Sequence, residues 1–222
     1  MSGITRFTKL CLHLDNNVTD SSPSGHTITN TDVTFSTTGG KFSYYGIFNG
    51  TTSKLTAPDS ADFDLGSADF TIDTWFQIDG ANVQNDIVGQ WGGAGDRAWA
   101  IEVRTTGLMR FFYTVDGTTE VTKDQTGTIN NDTWYHVAIE RYNNNLYHYL
   151  AGTKIGTPFD MTGVTIANSA GLLTLGGARG FYLSGKLDEP RFTKKAIYQG
   201  TDFTPSTLPY SIYPPRAIMI SD

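Results

Sequence analysis

Hydrophobic and polar residues alternate with a period of two along most of this chain. In residues 70–78 the even positions are mostly apolar, and the odd positions carry Asp73, Trp75 and two further polar side chains. The same alternation recurs in residues 98–104 and 134–140. Because successive side chains of a strand point to opposite faces, the pattern predicts half-buried strands. We therefore expect two antiparallel sheets that pack face to face.

Short turn signals separate the predicted strands. Asp116-Gly117 stands between two apolar runs and is a strong hairpin signal. Asn143–Asn145 and Ala151–Lys154 are expected to reverse the chain again. No window shows helical periodicity, and we expect at most one short helical turn near residues 58–62.

The last stretch of the chain changes character. Residues 205–222 contain four prolines, which exclude a central strand, and they include the apolar run 217–220. We predict one domain over residues 1–204 and a proline-rich extension over residues 205–222 that wraps the domain or docks on a neighbouring subunit. A frayed terminus is the open alternative. If the extension docks, deleting residues 214–222 should leave the fold intact and weaken self-assembly.

Composition excludes several classes of protein. The net charge of −6 includes no basic stripe, so nucleic-acid binding is not expected. No apolar stretch approaches the ~18 residues of a membrane span, so no membrane insertion is expected. Cys11 is the single cysteine and cannot form an internal disulfide; a small buried residue is its simplest role. The start of the sequence shows no signal-peptide pattern, and we expect a protein that is not secreted.

Four segments, in order along the chain, resemble the strands of one known family. They are LCLHLD (residues 10–15) with the serine-rich turn at residues 20–26, FDLGSADFTIDTWF (63–76), WYHVAIER (134–141), and LLTLGG with LSGKLDEPRF (172–192). Together they resemble laminin-G-like domains of the concanavalin A-type lectins and glucanases, over roughly residues 8–204. The resemblance implies an all-β, two-sheet antiparallel β-sandwich of the jelly-roll type, which is used mainly for binding.

One position departs from the family pattern. Pro190 stands where the family usually has a β-branched residue. Since proline has no N–H to donate to a sheet ladder, its presence predicts an edge position or a β-bulge.

Some members of the family that the chain resembles are glucanases, so a catalytic role is one alternative. Retaining glycosidases need two carboxylates about 5–5.5 Å apart. The glucanases of this architecture carry Glu-x-Asp-x-x-Glu on one strand, whereas residues 71–75 supply Asp73 alone. Asp188 and Glu189 are adjacent and should point to opposite faces. The chain also lacks a Gly-x-Ser-x-Gly motif, so we predict that it is not an enzyme.

Calcium is the one cofactor that the resemblance suggests. Laminin-G and pentraxin-type members often bind it through aspartates and loop carbonyls, the oxygen ligands that a hard cation prefers. The candidate ligands are Asp20 in the early turn and Asp188 in the late strand. In the alternative interpretation Asp20 caps its turn and Asp188 accepts hydrogen bonds from backbone amides.

Carbohydrate binding depends on aromatic side chains, which stack on the apolar C–H faces of sugars while polar groups bind the hydroxyls. The candidate contacts are Trp91, Tyr182, Trp75, Asp73 and Arg179. The alternative is that the tryptophans pack inside the fold, as we expect for Trp99 and Trp134 and leave open for Trp75.

The chain as a whole resembles the stand-alone domains found in structural genes of tailed phages. That resemblance implies a virion component, such as a head decoration, a fibre or a tail appendage, assembled in the host cytoplasm. Its partners would be host glycans or other virion subunits, and it would be a homo-oligomer. The main alternative is a cellular carbohydrate-binding lectin without a virion role. An accessory domain of a secreted enzyme would require a secretion signal and a linked catalytic domain.

Overall fold

The computed structural model describes residues 3–211, which form two antiparallel sheets packed face to face. The strands are β1 Thr8–Cys11, β2 Thr29–Thr31, β3 Thr34–Ser36, β4 Tyr45–Asn49, β5 Lys54–Ala57, β6 Phe70–Ile78, β7 Gln84–Trp91, β8 Arg97–Arg104, β9 Leu108–Tyr113, β10 Val121–Thr126, β11 Tyr135–Tyr142, β12 Asn145–Leu150, β13 Thr153–Asp160, β14 Leu173–Leu175 and β15 Ser184–Thr193. The expected short helical turn is a 3-10 turn at Ala61–Phe63. No helix among residues 3–211 is both long enough and apolar enough to cross a membrane.

The strand order confirms the predicted sandwich. The eight-stranded sheet runs β13-β12-β11-β6-β15-β4-β3, and β1 pairs with β15 beside it. The seven-stranded sheet runs β10-β9-β8-β7-β14-β5-β2. Each of these pairs of neighbouring strands is antiparallel. This holds for hairpins and also for strands that are far apart in the sequence, as in a jelly roll.

The predicted turns connect adjacent strands of these sheets. Asp116-Gly117 lies in the connection between β9 and β10. Asn143 and Asn144, with φ of 48° and 60°, join β11 to β12. Positive φ at both central residues is what a two-residue type I′ turn needs, and asparagine tolerates it better than most residues.

The inner faces of the two sheets supply the core. Trp99 is completely buried, stacks on Phe192 at 5.7 Å and donates its indole N–H to the carbonyl of Phe63. The core role expected for Trp99 is therefore confirmed. Trp134 is half-buried: it packs edge-on against Tyr45 and donates to the carbonyl of Gly39.

The outer face of β6 is covered as well, and the expectation of a half-buried strand is wrong there. All nine residues of β6 are buried. Residues 194–211 cross the outer face near Asp73, and the loop at residues 37–44 covers Trp75. The alternation of β6 thus separates two buried faces instead of a core face and a solvent face.

Pro190 lies in a β-bulge, as predicted. Asp188 pairs with Trp75 and Arg191 pairs with Asp73, so Glu189 and Pro190 together face the single residue between those two partners. Glu189 has a φ of 53°, in the left-handed region. The bulge removes the need for a proline N–H and turns the Glu189 side chain out of the regular alternation.

The first part of the proline-rich segment lies against the sandwich. Tyr210 is 4% exposed, and its backbone N–H donates to Glu189 Oε2 at 2.8 Å. Ile4 N–H donates to the carbonyl of Ser211 at 2.9 Å. The apolar run predicted to dock, residues 217–220, lies outside the described residues.

Candidate functional site

The candidate site residues fall in three places. Arg179 and Tyr182 lie in the loop at residues 176–183, which passes from β14 in one sheet to β15 in the other at one rim of the sandwich. Trp91 is at the other end of β7 from this loop, and its ring lies near the Arg179 guanidinium. Asp73, Trp75 and Asp188 lie on the outer face of the eight-stranded sheet. Asp20 lies in the turn that follows β1.

Arg179 contacts both aromatic rings and buried carboxylates. Its guanidinium carbon lies 3.5 Å from the centroid of the Phe112 ring and 5.7 Å from that of Trp91. Its Nη1 donates to Glu102 Oε2 at 3.0 Å and lies 3.5 Å from Asp86 Oδ1. These contacts fix the guanidinium against an aromatic face, where it can orient a ligand or a loop.

Asp86 and Glu102 are not among the candidates that the sequence suggests. They face each other directly across β7 and β8, and both are completely buried. Burial raises the pKa of Asp86 to about 6, although Arg179 and two backbone amides oppose the rise. Arg104 Nε donates to the other carboxylate, Glu102, at 2.6 Å.

The pair of carboxylates holds the rim loop in place. The backbone N–H groups of Arg179 and Phe181 donate to Asp86 Oδ2 at 2.6 and 3.3 Å. A motif of two carboxylates on one strand does not include this pair, because Asp86 and Glu102 lie on neighbouring strands. Counting outward from the turn at residues 92–96 would have placed Asp86 opposite Glu102.

A cleft of about 500 Å³ lies beside Arg179 on the same rim. It is lined by Gly50, Asn82, Val83, Gln84, Gly180, Phe181 and Tyr182. The Phe181 ring is 42% exposed and lies 5.4 Å from the guanidinium carbon of Arg179, so the cleft and the arginine are continuous. We call this continuous surface, formed by Trp91, Arg179 and the cleft residues, the rim surface.

The backbone around the cleft is tied together by one amide. Asn82 Nδ2 donates to the carbonyl of Gly50 at 2.8 Å and to that of Tyr182 at 2.9 Å. The Tyr182 ring packs over Gly177, where an added Cβ would lie 2.9 Å from the ring. The rim surface therefore presents the Phe181 and Tyr182 rings on a fixed backbone, which suits the apolar faces of a sugar.

Asp73 lies in a buried ion pair. Burial disfavours its charged form, but Arg191 and His136 outweigh burial and hold the pKa of Asp73 well below its usual range. Arg191 donates to both carboxylate oxygens, at 2.9 and 2.5 Å, and the hydroxyls of Tyr198 and Tyr210 also donate to Asp73. With these partners and 2% exposure, the carboxylate is not presented to a ligand.

Trp75 is also covered, with 7% of its surface exposed. Lys41 Nζ lies 3.6 Å from the centroid of its ring, and Phe42 packs edge-on at 6.1 Å. The structure thus brings Trp91 close to Arg179, places Arg179 and Tyr182 in one loop, and leaves Asp73 and Trp75 in the other sheet.

The two calcium candidates do not fit calcium. Asp20 Oδ1 accepts hydrogen bonds from the N–H groups of Cys11 and Ser22, and Oδ2 accepts from Ser22 Oγ and His26 N–H. Each oxygen therefore already accepts two hydrogen bonds, from the turn and from the end of β1. Burial, with Glu189 nearby, raises the pKa of Asp188 to about 8, so this carboxyl is largely neutral at pH 7. A hard cation needs several ionised or carbonyl oxygens, which these side chains do not offer.

Comparison with known proteins agrees with the fold. The sequence profile described as laminin-G, concanavalin A-like lectin/glucanases superfamily, matches residues 49–200. No curated protein matches the chain.

Several solved structures with a similar fold are toxin binding domains. The binding domain of Paraclostridial Mosquitocidal Protein 1 has a TM-score of 0.71 and 17% identity, over 86% of this chain and 50% of that one. The binding domain of botulinum neurotoxin DC in complex with SialylT has a TM-score of 0.67 and 14% identity, over 86% and 48%. The same domain in complex with rat synaptotagmin II has a TM-score of 0.66 and 13% identity, over 89% and 55%.

This chain spans about half the length of those binding domains, and at such identities the likeness shows the fold alone. The family profile, by contrast, covers residues 49–200, which is more than half of the 222 residues. The two-sheet sandwich agrees with that match. The chain belongs to the concanavalin A-like lectin/glucanases superfamily.

Proposed function

We propose that this chain is a non-enzymatic binding module that recognises surface glycans through the rim surface. The observation that carries the proposal is the open cleft of about 500 Å³ beside Phe181, Tyr182 and the stacked Arg179. The exposed Phe181 ring and the half-buried Tyr182 ring offer faces on which a sugar can stack, and the polar side chains of Asn82 and Gln84 line the same cleft. Similar folds solved with SialylT and with rat synaptotagmin II support a glycan or a protein as the partner.

The paired carboxylates of the rim support a binding role over hydrolysis. A retaining glycosidase must present two carboxylates to the glycosidic bond. Asp86 and Glu102 are completely buried, and Arg179 and Arg104 donate to or lie beside their oxygens. With no exposed surface, neither carboxylate is presented to a sugar.

The test is a glycan array on the purified chain, followed by calorimetry with the strongest hit. Phe181→Ala and Tyr182→Ala should each weaken binding at least about tenfold, or about 1.4 kcal/mol, because each removes a stacking ring. Leu208→Ala is the matched control, since Leu208 is an apolar residue that is 71% exposed and lies outside the rim surface.

Two results would contradict the proposal. One is an array with no glycan bound by folded protein. The other is a hit whose affinity is the same in wild type and in both rim variants. Glycan turnover in the same samples would contradict the non-enzymatic part alone.

We also propose that the module serves in a virion, as a head decoration, fibre or tail appendage that assembles in the host cytoplasm. Support comes from the resemblance of the chain as a whole to domains of this family in structural genes of tailed phages. In that role the chain is a homo-oligomer whose partners are host glycans or other virion subunits. Light scattering should give a discrete oligomer for the full chain and a smaller mass after deletion of residues 214–222. A monomer in both samples would instead favour the cellular lectin.

A further inference from the structure

A thiol, an imidazole and a carboxylate, three side-chain groups that can bind metals, converge beside the bulge of β15 in the eight-stranded sheet. A ligand atom from each of Cys11, His13 and Glu189 lies within 4.8 Å of the other two. Within residues 3–211 this is the one such group of three, and it contains neither Asp20 nor Asp188. We propose that these side chains form a site for zinc(II) or a similar divalent transition metal ion.

The local backbone explains why the three side chains meet. Cys11 and His13 are two residues apart in an extended segment, so their side chains point to the same side. The bulge brings in Glu189, whose φ of 53° is unusual for a residue with a side chain. A left-handed conformation costs about 1–2 kcal/mol for most residues, and strained residues of this kind cluster at functional sites.

A second layer of contacts orients the carboxylate. Glu189 Oε2 accepts the backbone N–H of Tyr210 at 2.8 Å, which leaves Oε1 facing His13 Nδ1 at 2.7 Å. Such outer contacts commonly position the ligands of metal sites. With bonds of about 2.0–2.3 Å to a tetrahedral zinc ion, ligand atoms stand about 3–4 Å apart. A small rotation of the half-buried His13 ring would open the His13–Glu189 contact to that spacing.

The charges around the group favour a cation. Glu189, Asp73 and Asp20 lie close enough to act electrostatically on Cys11, and Asp15 acts on His13. The nearby Arg191 is paired with Asp73, so these two charges offset each other, and the negative charges of Glu189, Asp20 and Asp15 remain. A divalent ion would therefore meet an excess of negative charge in a place with low solvent access, where charge interactions are strong.

The donor set selects the type of ion. A thiolate and an imidazole are ligands for zinc, cobalt or copper, whereas calcium and magnesium prefer oxygen alone. Cys11 is completely buried and the His13 side chain is 26% exposed, so an ion would enter from the His13 side. Three protein ligands leave a fourth position for water or for an outside ligand.

The experiment uses the full chain, stripped of metal with a chelator and then dialysed. Zinc is titrated by calorimetry, and cobalt(II) is titrated by absorption spectroscopy. Because Cys11 is the single cysteine, a thiolate-to-cobalt charge-transfer band can arise only from this residue. We expect one ion per chain, a near-ultraviolet band, and loss of that band when zinc is added.

Variants then assign the ligands. His13→Ala should weaken zinc binding at least about tenfold, and Cys11→Ser should abolish the cobalt band. His26→Ala is the matched control: His26 is also half-buried, with Nε2 3.3 Å from a carboxylate oxygen of Asp62, but it lies outside the group. Circular dichroism establishes that each variant is folded.

The proposal is overturned if folded wild type binds no zinc, or if cobalt bound to it gives no charge-transfer band. Equal affinities of wild type and His13→Ala would also overturn it, even if Cys11→Ser failed to fold. Glycan binding is not part of any readout, so this outcome and that of the glycan array are independent.

Discussion

At the residue scale, the same pair of residue types has different consequences in two environments. Arg191 and Asp73 form a bidentate ion pair whose side chains have no exposed surface. Arg110 and Asp124 form a second bidentate pair, with their side chains 21% and 35% exposed. Breaking a buried pair leaves an uncompensated charge, whereas solvent replaces a lost partner at the surface. The two pairs therefore permit a direct comparison within one chain.

We predict that Asp73→Asn lowers the free energy of unfolding by about 3–5 kcal/mol because Arg191 stays buried without its counter-charge. Asp124→Asn, the matched control, should lower it by at most about 1 kcal/mol. Urea denaturation of both variants measures the difference. Equal losses would show that burial does not distinguish the two pairs.

Asp86 gives a pH prediction of defined sign. Its pKa is raised to about 6 by burial, so the folded state holds the proton more tightly than the unfolded state does. The contribution of Asp86 to stability is therefore greatest at low pH and falls as pH rises from about 4 through about 6. The total fall is at most about 3 kcal/mol.

Asp86→Asn should remove that fall. The unfolding free energy of the variant, relative to wild type, should rise between about pH 4 and pH 7 by up to about 3 kcal/mol. Chemical denaturation across this range measures the change, and carboxyl NMR of wild type, assigned with the variant, gives the pKa directly. Parallel pH profiles of the two proteins would contradict the assignment.

Single residues are predictable from the sequence where the local pattern is informative. Trp91 and Tyr182 each stand in or beside a glycine-containing loop, and both lie on the rim surface. Asp86 and Glu102 escape such a search because their relation depends on strand pairing. The alternation in β6 places Asp73 on the face opposite the core, which makes it a candidate ligand-binding residue. The sequence around Asp73 does not indicate that two tyrosines from residues 194–211 cover it.

At the element scale, turn chemistry varies between successive hairpins of the eight-stranded sheet. The β11–β12 turn has asparagine at both positions of positive φ, whereas the β12–β13 turn has Ala151, with φ of 51°, before Gly152. Alanine carries a Cβ that crowds the following carbonyl in this conformation, and asparagine tolerates it better. The β12–β13 turn is therefore less favourable than its neighbour.

Ala151→Asn should raise the free energy of unfolding by about 0.5–1 kcal/mol, and the melting temperature by about 1–4 °C. Thermal unfolding by circular dichroism measures the shift. Ala94→Asn is the control, because Ala94 is also exposed but is not among the residues of positive φ. A gain in both variants, or in neither, would reject the explanation by turn conformation.

The elements themselves are largely predictable. The two-residue period locates β6, β8 and β11, and the bulge at Pro190 follows from the missing N–H of proline. The burial of the outer face of β6 is not predictable, because its cover comes from the loop at residues 37–44 over Trp75 and, over Asp73, from residues 194–211. That segment has no periodicity and lies more than 100 residues along the chain from β6.

At the scale of the whole molecule, residues 194–211 join several parts of the eight-stranded sheet. Tyr198 N–H donates to Glu140 on β11, and its ring stacks on Phe203 at 3.5 Å. Tyr210 N–H donates to Glu189 on β15, while its hydroxyl donates to Asp73 on β6. We therefore propose that residues 205–211 stabilise the sandwich. Two truncated chains can distinguish their contribution from that of the residues beyond them.

A chain that ends at Tyr213 should keep the stability of the full chain, whereas one that ends at Thr204 should lose at least about 3 kcal/mol. The shorter chain loses the Tyr210 ring, which lies 3.8 Å from the guanidinium carbon of Arg191, and leaves Glu189 Oε2 without its backbone donor. Chemical denaturation measures both truncations. Tyr210→Ala should reproduce most of the loss, and Leu208→Ala, at 71% exposure, should change stability by no more than about 0.5 kcal/mol. Equal stability of the two truncated chains would instead place the end of the folding unit at residue 204. The contacts of Tyr210 would then not contribute to the stability of the sandwich.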